Sequence, residues 1–360
     1  MQADKSPPVP ALRVQIVPPG PGGVHDFAAA LSAEWALQGH PSKLLAMDRT
    51  ATRVQSLAGV LTTLRGGAQE RCSLLVHFSG YGYDKRGLCG WLLHELRAAQ
   101  QQWGSSLRIV TLFHELFASS TPWKSAFWLG PAQEDIARRL AALSAAVATN
   151  TSQHAQWLRA QPGVSAAVQA RPVFSTFPQP ALLPALAERE PALIVFGAVA
   201  TRGRALQRLA AHASALHALG IEAVTEVGPG APTALHPWPH QHLGLLPPAA
   251  VAQQLLRHRY ALIDYPAAYL AKSSVLAAYA AHGCAVLNTA AAATDADGLR
   301  AGQHYAALGA TRPLPQPVDT KAWQTMADDL NRWHSGHTLQ LQAGELGALL
   351  DPLQAWPERN

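Results

Sequence analysis

The sequence is poor in charged residues and in cysteine, and each shortage excludes a class of protein. Only 14% of its 360 residues are charged, whereas 48% are hydrophobic. A chain with this balance can bury a large core, which excludes a disordered protein. The three cysteines, Cys72, Cys89 and Cys284, are far apart in the sequence. They form neither a metal-binding nor a redox spacing, and their scarcity fits a reducing cytoplasm.

The sequence also lacks a segment that could cross a membrane. Its most apolar stretch, residues 261–287, is interrupted by Asp264 and Lys272, whereas a spanning helix needs about 20 apolar residues. Residues 1–10 have no apolar core of the kind found in secretion signals. We therefore expect a cytoplasmic protein. Its basic N-terminal half, residues 1–175, leaves open a peripheral contact with the inner membrane.

A nucleic-acid partner is not expected. The basic excess of residues 1–175 is small and dispersed. Proteins that bind nucleic acids instead set basic clusters among aromatic side chains that stack on bases. The sequence contains no such arrangement.

Apolar strands alternate with amphipathic helices along nearly the whole chain, which predicts parallel sheets with helical crossovers. The chain is long enough for two domains. We predict one Rossmann-like domain at residues 1–175, a Pro-rich hinge at 176–192, a second Rossmann-like domain at 193–335, and a closing helix and tail at 336–360. Strands are predicted at 12–17, 41–47, 72–78, 107–113, 145–149, 193–197, 221–227, 261–263 and 285–287.

The chain is organised around the strand–loop–helix–strand unit of residues 261–287. Ser273 or Ser274 can cap the helix that follows the loop, and Lys272 stands beside the helix start. Free N–H groups and the helix dipole favour an anion at such a position, and a phosphate is the expected ligand. An ordinary capped helix with a solvated lysine is the alternative interpretation.

Polar side chains follow several other predicted strands, where functional groups of open α/β sheets gather. His114 and Glu115 follow strand 107–113. A histidine can act as a general acid or base near neutral pH, although a structural histidine at a strand end is equally compatible. Gly22 and Gly23 lie in the turn after the first strand, where they let the backbone approach a ligand or simply form a tight turn.

The second half of the chain supplies two arginines and a histidine-rich segment. Arg202 and Arg204 follow strand 193–197 and lead to the start of a helix predicted at 205–219. Residues 236–242, HPWPHQH, have a spacing that suggests a metal site at first sight. Their prolines indicate a rigid loop instead, and no cysteine or carboxylate lies nearby in the sequence to complete a metal site. We therefore predict no metal.

These pieces, taken in order, resemble a known arrangement. Two successive βαβ sheets, a Pro-rich hinge and closing helices resemble the GT-B glycosyltransferases. The series of motifs is similar to that of retaining, nucleotide-sugar-dependent bacterial glycosyltransferases of the family 4 type, which build surface polysaccharides and glycolipids. The motifs are Gly22-Gly23-Val24, His114, Phe196-Gly197 with Arg202 and Arg204, and Lys272-Ser273-Ser274. The segments HFSGYGYDKRGLCGWL and FHELFASSTPWKSAFWLGPAQ resemble a polysaccharide-cluster branch.

The resemblance implies two Rossmann-like domains that face each other across a cleft. It also implies sugar transfer from a nucleotide-diphosphate sugar to the hydroxyl of a glycan or lipid-linked acceptor, with retention and without a cofactor. His114 and Glu115 would be catalytic. Donor-phosphate contacts would come from Gly22, Gly23, Arg202, Arg204, Lys272, Ser273 and Ser274. We expect acceptor contacts from Tyr81, Tyr83, Arg86, Trp123 and Lys124.

One feature departs from the family pattern. These enzymes usually carry two glutamates, separated by seven residues, that contact the donor sugar and the nucleotide ribose. The matching positions here are Leu270 and Ala278. Two alternatives therefore stay open, a non-catalytic GT-B-like binding or scaffold protein of a polysaccharide pathway, and a nucleotide-sugar epimerase.

Overall fold

The chain folds into two compact units, each built on one parallel sheet. The computed structural model describes residues 11–65, 71–117, 125–232, 238–290, 294–308 and 320–351, without the side chains of residues 125–127. Within this part, the first unit comprises residues up to 171 together with 339–351, and the second comprises 172–338. Both sheets have six strands. The predicted α/β architecture with two parallel sheets is confirmed.

The sheet of the first unit has the strand order β2-β1-β3-β4-β5-β6. Its strands are β1 Leu12–Val17, β2 Ser42–Ala46, β3 Cys72–Phe78, β4 Leu107–Phe113, β5 Ala146–Thr149 and β6 Ala167–Ala170. Its first seven helices are α1 Gly23–Leu37, α2 Ala51–Val54, α3 Leu57–Arg65, α4 Gly80–Tyr83, α5 Gly90–Trp103, α6 Ser125–Leu143 and α7 Ser152–Arg159.

The central strands of this sheet are buried on both faces. Every residue of β1 and β3 is buried, as expected for nearly continuous apolar strands covered by helices on both sides. The polar residues in these two strands include Gln15 in β1 and His77 in β3, both fully buried. Because buried polar groups need hydrogen-bond partners, these two positions point to a polar network inside the core.

The sheet of the second unit has the strand order β12-β11-β10-β7-β8-β9. Its strands are β7 Glu190–Phe196, β8 Ala223–Val227, β9 His240–His242, β10 His258–Ile263, β11 Ala285–Asn288 and β12 Ala306–Ala307. Its helices are α8 Val199–Leu209, α9 Ala213–Ala218, α10 Pro248–Arg257, α11 Ser274–Ala281 and α12 Thr320–Ser335, and a 3₁₀ helix, Ala267–Lys272, precedes α11.

The last helix, α13 (Leu339–Leu350), belongs to the first unit. The indole N–H of Trp35 donates to the carbonyl oxygen of Ala343 at 2.7 Å. Arg108 Nε donates to the carbonyl oxygen of Leu349 at 2.8 Å, and Arg13 forms an ion pair with Asp351 at 2.7 Å. The C-terminal segment therefore completes the unit that begins with β1.

Several elements differ from those predicted. Residues 205–219 were expected to form one helix, but α8 begins at Val199 and is separated from α9 by a 3₁₀ turn. The short strands β6, β9 and β12 were not predicted, and β9 uses the end of the histidine-rich segment, of which residues 236–237 lie outside the described part. The predicted hinge, 176–192, lies in the second unit and overlaps the start of β7.

The helices pack with one face on the sheets. In α12, Trp323, Met326 and Leu330 are buried, and their spacing of three and four residues places them on one side of the helix. Among the helices described, none is both long enough and apolar enough to span a bilayer.

Candidate functional site

Each sheet has one place where the strand order reverses. In the second unit, β8 and β9 follow β7 on one side of it, and the chain then returns to place β10 on the other side. In the first unit, β1 lies between β2 and β3. Ligands of open α/β sheets bind outside the carboxyl ends of strands at such reversals. Both reversals are therefore candidate sites.

Two glycines shape the reversal of the second unit. Gly197 follows β7 with φ +125°, and a Cβ there would lie 3.2 Å from Val275 Cγ2 in the first turn of α11. Gly228 follows β8 with φ +142°, and a Cβ there would overlap the guanidinium of Arg202 and the carbonyl oxygen of Gly197. Only glycine tolerates both these backbone angles and this crowding. The helix start is thus brought against the end of β7.

Arg202 does not offer its guanidinium to a ligand. The side chain is 1% exposed, and its Nε lies 2.9 Å from Oε1 of Glu226, which is fully buried. Its two terminal nitrogens donate to the carbonyl oxygens of Gly197 and Pro229. The predicted role of Arg202 as a phosphate ligand is therefore wrong in this arrangement. Arg202 instead fixes the glycine-containing loops that follow β7 and β8.

Arg204 and Arg208 form the exposed cationic pair of this edge. Arg204 Nε lies 3.3 Å and Arg208 Nη1 lies 2.7 Å from the carboxylate of Asp264, which follows β10. The arginine side chains are 52% and 51% exposed, whereas that of Asp264 is 6% exposed. The hydroxyl of Thr289 donates to Asp264 at 3.1 Å. One buried carboxylate thus positions two guanidinium groups, which together leave an excess of positive charge.

The N-terminus of α11 lies beside Gly197, at the end of β7. The hydroxyl of Ser273 accepts a hydrogen bond from the backbone N–H of Leu276 at 3.2 Å, so Ser273 is the cap. Ser274 is exposed at the first helical position. Lys272 Nζ lies 5.6 Å from the centre of the Tyr269 ring. The predicted combination of a capped helix start and an adjacent lysine is present.

The carboxyl edge of the first unit carries a chain of three polar side chains. His77 Nε2 lies 2.8 Å from Gln15 Oε1, and His77 Nδ1 lies 3.0 Å from His114 Nε2. Burial lowers the pKa of His77 well below its usual value, and the neighbouring His114 lowers it further. Phe27 of α1 packs edge-on against both imidazoles, 5.8 Å from that of His77 and 5.1 Å from that of His114.

Glu115 lies beside this chain and is exposed. Its carboxylate accepts a hydrogen bond from the hydroxyl of Ser79 at 3.2 Å, and the backbone N–H of His114 donates to the carbonyl oxygen of Phe78 at 2.9 Å. The carboxyl ends of β3 and β4 therefore bring His114, Glu115 and Ser79 together.

The comparisons with known proteins identify the fold. The sequence matches no protein-family model and no curated protein. The structure is similar to a trehalose-6-phosphate synthase, OtsA, with TM-score 0.59, 11% identity and coverage of 96% of this chain and 100% of that one. It is also similar to the α,α-trehalose-6-phosphate synthase of Burkholderia multivorans, with TM-score 0.58, 13% identity and coverage of 95% and 98%. An α-glucosyltransferase in complex with UDP-glucose and DNA gives TM-score 0.55, 9% identity and coverage of 94% and 98%.

The chain has the GT-B fold. These identities are too low to establish more than the architecture, because one fold supports many functions.

Apolar side chains fill the two positions that the sequence analysis matched to the glutamates of the family 4 type. Leu270 is 1% exposed and Ala278 is fully buried, and both belong to the core of the second unit. A carboxylate at either place would be buried in the apolar core at a high cost in free energy. Leu270 and Ala278 are therefore part of the packed core of the second unit.

The predicted acceptor residues are not equivalent. Tyr83 is buried, and its hydroxyl lies 3.0 Å from the carbonyl oxygen of His77 and 3.2 Å from that of Ile16. Burial raises the pKa of Tyr83 well above its usual value. The prediction that Tyr83 contacts an acceptor is therefore wrong in this arrangement, because the side chain braces β1 against β3.

The other acceptor candidates are exposed where the structure describes them. Tyr81 is 42% exposed, and its hydroxyl accepts a hydrogen bond from Gln133 Nε2 at 3.2 Å. Arg86 is exposed on the loop after α4. Trp123 and Lys124 lie outside the described residues. Tyr81 and Arg86 keep their predicted role as proposals.

The two glycines of the first reversal are open to solvent. Gly22 and Gly23 are exposed at the start of α1, and a Cβ at either would have no heavy atom within 4 Å. The backbone N–H of Asp26 donates to the carbonyl oxygen of Gly22 at 2.9 Å. The open backbone is compatible with close approach by a ligand, as predicted.

Two site residues of the second unit, Arg208 and Asp264, were missed by sequence reasoning, and a signal for Arg208 exists. Arg208 lies four residues after Arg204, so the two project from one face of α8. The buried residues of α8 are Arg202, Ala205, Leu206 and Leu209, which is the spacing of a core-facing helix stripe. Reading the helix from 199 instead of 205 would have placed Arg202 inside and Arg208 at the surface. The role of Asp264 as their shared partner carried no such signal.

Proposed function

We propose that the protein is a glycosyltransferase that moves a sugar from a nucleotide-diphosphate sugar to a hydroxyl acceptor, with retention. The observation that carries the proposal is the cationic edge of the second unit, at the strand reversal of a GT-B fold. Arg204, Arg208 and the start of α11 lie around the ends of β7 and β10. The similar structures include an α-glucosyltransferase with UDP-glucose.

The cationic edge has the chemistry of a diphosphate site. Guanidinium groups donate paired hydrogen bonds to phosphate oxygens, and the first N–H groups of a helix add to them. Asp264 holds both arginines in place through its buried carboxylate. Lys272 supplies a further positive charge next to the helix start. These groups neutralise the diphosphate without requiring a cofactor.

The same groups can accelerate transfer. When the bond between the sugar carbon and the phosphate oxygen breaks, the oxygen leaves with the bonding electrons and gains negative charge. Fixed positive groups stabilise that charge more in the transition state than in the bound donor. The acceptor oxygen then forms the new bond to the sugar carbon, and its hydroxyl proton passes to the departing phosphate oxygen. We assign His114 and Glu115 to contacts with the transferred sugar and the acceptor hydroxyl.

The candidate acceptor contacts of the first unit are Tyr81 and Arg86. Exposed Tyr81 and Arg86 can bind a hydroxyl-rich or anionic molecule, and we propose a glycan or lipid-linked precursor at or near the inner membrane. One similar trehalose-phosphate synthase was solved with glucose-6-phosphate and one similar α-glucosyltransferase with DNA. Sugar phosphates and duplex DNA therefore belong in an acceptor screen, beside oligosaccharides and lipid-linked sugars.

The donor site is tested by calorimetry with UDP, GDP, ADP and dTDP, with and without a divalent metal. We expect one nucleoside diphosphate to bind, and Arg208→Ala and Lys272→Ala each to weaken it about tenfold or more, since a charge-assisted hydrogen bond contributes about 1.5–3 kcal/mol. Arg257→Ala is the matched control, because Arg257 is a half-exposed arginine paired with Glu190 at the opposite end of the sheet. Equal affinity in all variants would exclude this site.

Turnover separates the proposal from its alternatives. A transferase releases the nucleoside diphosphate only when an acceptor is present, whereas an epimerase converts the donor without releasing it. The buried Leu270 and Ala278 favour one further candidate, a donor-binding protein without catalysis. Tight binding of a nucleotide sugar with no transfer to any acceptor in the screen would support that candidate.

A further inference from the structure

The orientation of the Gln15 amide can be read from its neighbours. Gln15 Nε2 lies 3.1 Å from the carbonyl oxygen of Ala28 and 2.9 Å from Oγ of Ser42. A backbone carbonyl only accepts hydrogen bonds, so the group that faces Ala28 must be the NH₂ of the amide. The amide oxygen then faces His77, and it can only accept. His77 Nε2 must therefore carry a proton.

The protonation of the His77 ring determines which nitrogen of His114 carries a proton. His77 is fully buried, and a buried imidazole without a carboxylate partner is neutral. With the proton on Nε2, its Nδ1 has a lone pair and can only accept. The atom that faces this lone pair is His114 Nε2, at 3.0 Å. His114 Nε2 must then be the donor of that hydrogen bond.

We infer that His77, held by Gln15, is a positioning residue that locks His114 as its Nε2–H tautomer. With Nε2 protonated, the other ring nitrogen, Nδ1, is the one at which His114 can gain or lose a further proton. Under the proposed transferase function, neutral His114 accepts a hydrogen bond from a substrate hydroxyl, and protonated His114 donates one. The substrate role rests on the proposed transferase function, whereas the tautomer follows from the contacts alone.

Packing supports the same assignment. Phe27 lies edge-on to both imidazoles, and the two rings stack with an interplanar angle of 17°. A ring flip of His114 would place a carbon opposite His77 Nδ1 and lose the hydrogen bond. Since an unpaired buried acceptor costs about 1–3 kcal/mol, one ring orientation is strongly favoured.

The direct test is NMR of the full chain labelled with ¹⁵N-histidine. Two-bond proton–nitrogen correlations distinguish Nε2–H from Nδ1–H imidazoles, and His114→Gln and His77→Gln assign the signals. We expect both histidines as Nε2–H tautomers near pH 8. A His114 in the Nδ1–H form, or one that exchanges between both forms, would overturn the inference.

Two substitutions of His77 then test whether this residue positions His114 or only fills space in the core. His77→Leu removes the acceptor, and we expect His114 to populate both tautomers and to titrate at lower pH, because the imidazolium loses its partner. His77→Gln can accept from His114 and donate to Gln15, so we expect it to restore the single tautomer. His258→Gln is the matched control at a buried histidine of the other unit. An unchanged His114 spectrum in folded His77→Leu would also overturn the inference.

The kinetic readout distinguishes the two proposals. With a working acceptor, we expect His77→Leu to lower kcat at least tenfold, to shift the pH profile as the NMR titration shifts, and to leave the donor KM nearly unchanged. His77→Gln should recover most of kcat. If no transfer is found but the NMR pattern is as expected, the transferase proposal fails and the tautomer assignment stands.

Discussion

At the scale of single residues, the candidate site depends on the absence of a side chain at Gly228 as well as on charged groups. Gly228 leaves room for the buried guanidinium of Arg202, which in turn bonds the carbonyl oxygens of Gly197 and Pro229. The ion pair with Glu226 neutralises this charge. A buried arginine tolerates such a place only when its charge and its donors are satisfied together. The glycine is therefore part of the loop structure that carries the site.

We predict that Gly228→Ala strongly destabilises the second unit. The added methyl group would collide with Arg202 and Gly197, and φ +142° is strained for alanine. A loss of about 3 kcal/mol or more in the free energy of unfolding is expected from this combination. Urea unfolding followed by circular dichroism measures it.

Gly203→Ala is the matched control for that substitution. Gly203 lies inside α8, and a Cβ there would meet no atom within 4 Å. Since alanine is the better helix former, we expect a gain of up to about 1 kcal/mol. Equal effects of the two substitutions would show that the crowding around Gly228 is not what constrains the loop.

Residue-scale roles were predicted unevenly from the sequence, for physical reasons. His114 and Lys272 could be singled out because each stands at the end or start of an element. The partners Gln15 and His77 are 62 positions apart in the chain, and only the register of neighbouring strands brings them together. Arg202 was misjudged because a missed helix start reversed the face on which it lies.

At the scale of elements, α11 combines a cap, an apolar body and a close approach to a strand. Its residues from Leu276 to Ala281 are all buried, so its position is fixed by packing on every side. Its first turn lies against Gly197 at the end of β7. The helix can therefore present its N-terminus at a fixed place beside the arginine pair.

We predict that Ser273→Ala lowers the stability of the second unit and weakens nucleoside diphosphate binding. The hydroxyl of Ser273 caps the N–H of Leu276, and loss of such a cap costs about 1 kcal/mol. Ser274→Ala is the control for the stability effect, because Ser274 is the exposed first residue of the helix and not its cap. Thermal unfolding and calorimetry on the same samples report both effects. A Ser273→Ala protein as stable as the Ser274→Ala protein would contradict the assigned cap.

The sequence predicts long elements better than short ones. Strands such as β3 and β4 are seven-residue segments made mainly of apolar residues, and both were predicted with their observed limits. The strands β9 and β12 have three and two residues, too few to show a period. Their pairing is imposed by neighbouring strands, which is a tertiary effect that a local pattern does not contain.

At the scale of the whole molecule, buried histidines set the response to acid. Burial lowers the pKa of histidines in both units, namely His77, His258, His282, His304 and His334. The pKa of His334 falls to about 4, through burial first and then through the charges of His337 and His282. Neutral His334 accepts a hydrogen bond from the backbone N–H of Ser175 at 3.3 Å.

We predict that the protein loses stability as the pH falls from about 6.5 to about 4. The unfolded chain binds protons at histidine in this range while the folded chain does not, so protonation favours unfolding. His334 alone contributes up to about 3 kcal/mol, at 1.36 kcal/mol per pKa unit. His334→Gln keeps an acceptor for Ser175 and cannot titrate, so unfolding free energies should depend less steeply on pH. The same substitution at exposed His40 is the control. If the free energy of unfolding depends on pH equally in both variants, His334 does not contribute to the loss of stability in acid.

The position of α13 has a consequence for how the protein is made. A ribosome synthesises β1 early, but the groups that pair with Arg13 and Trp35 are Asp351 and Ala343, near the other end of the sequence. The first unit therefore cannot complete its folding until all of the second unit has been translated. Arg171 already lies 2.9 Å from Glu345 of α13, so a short linker from residue 171 to 339 would let the first unit finish folding without that delay.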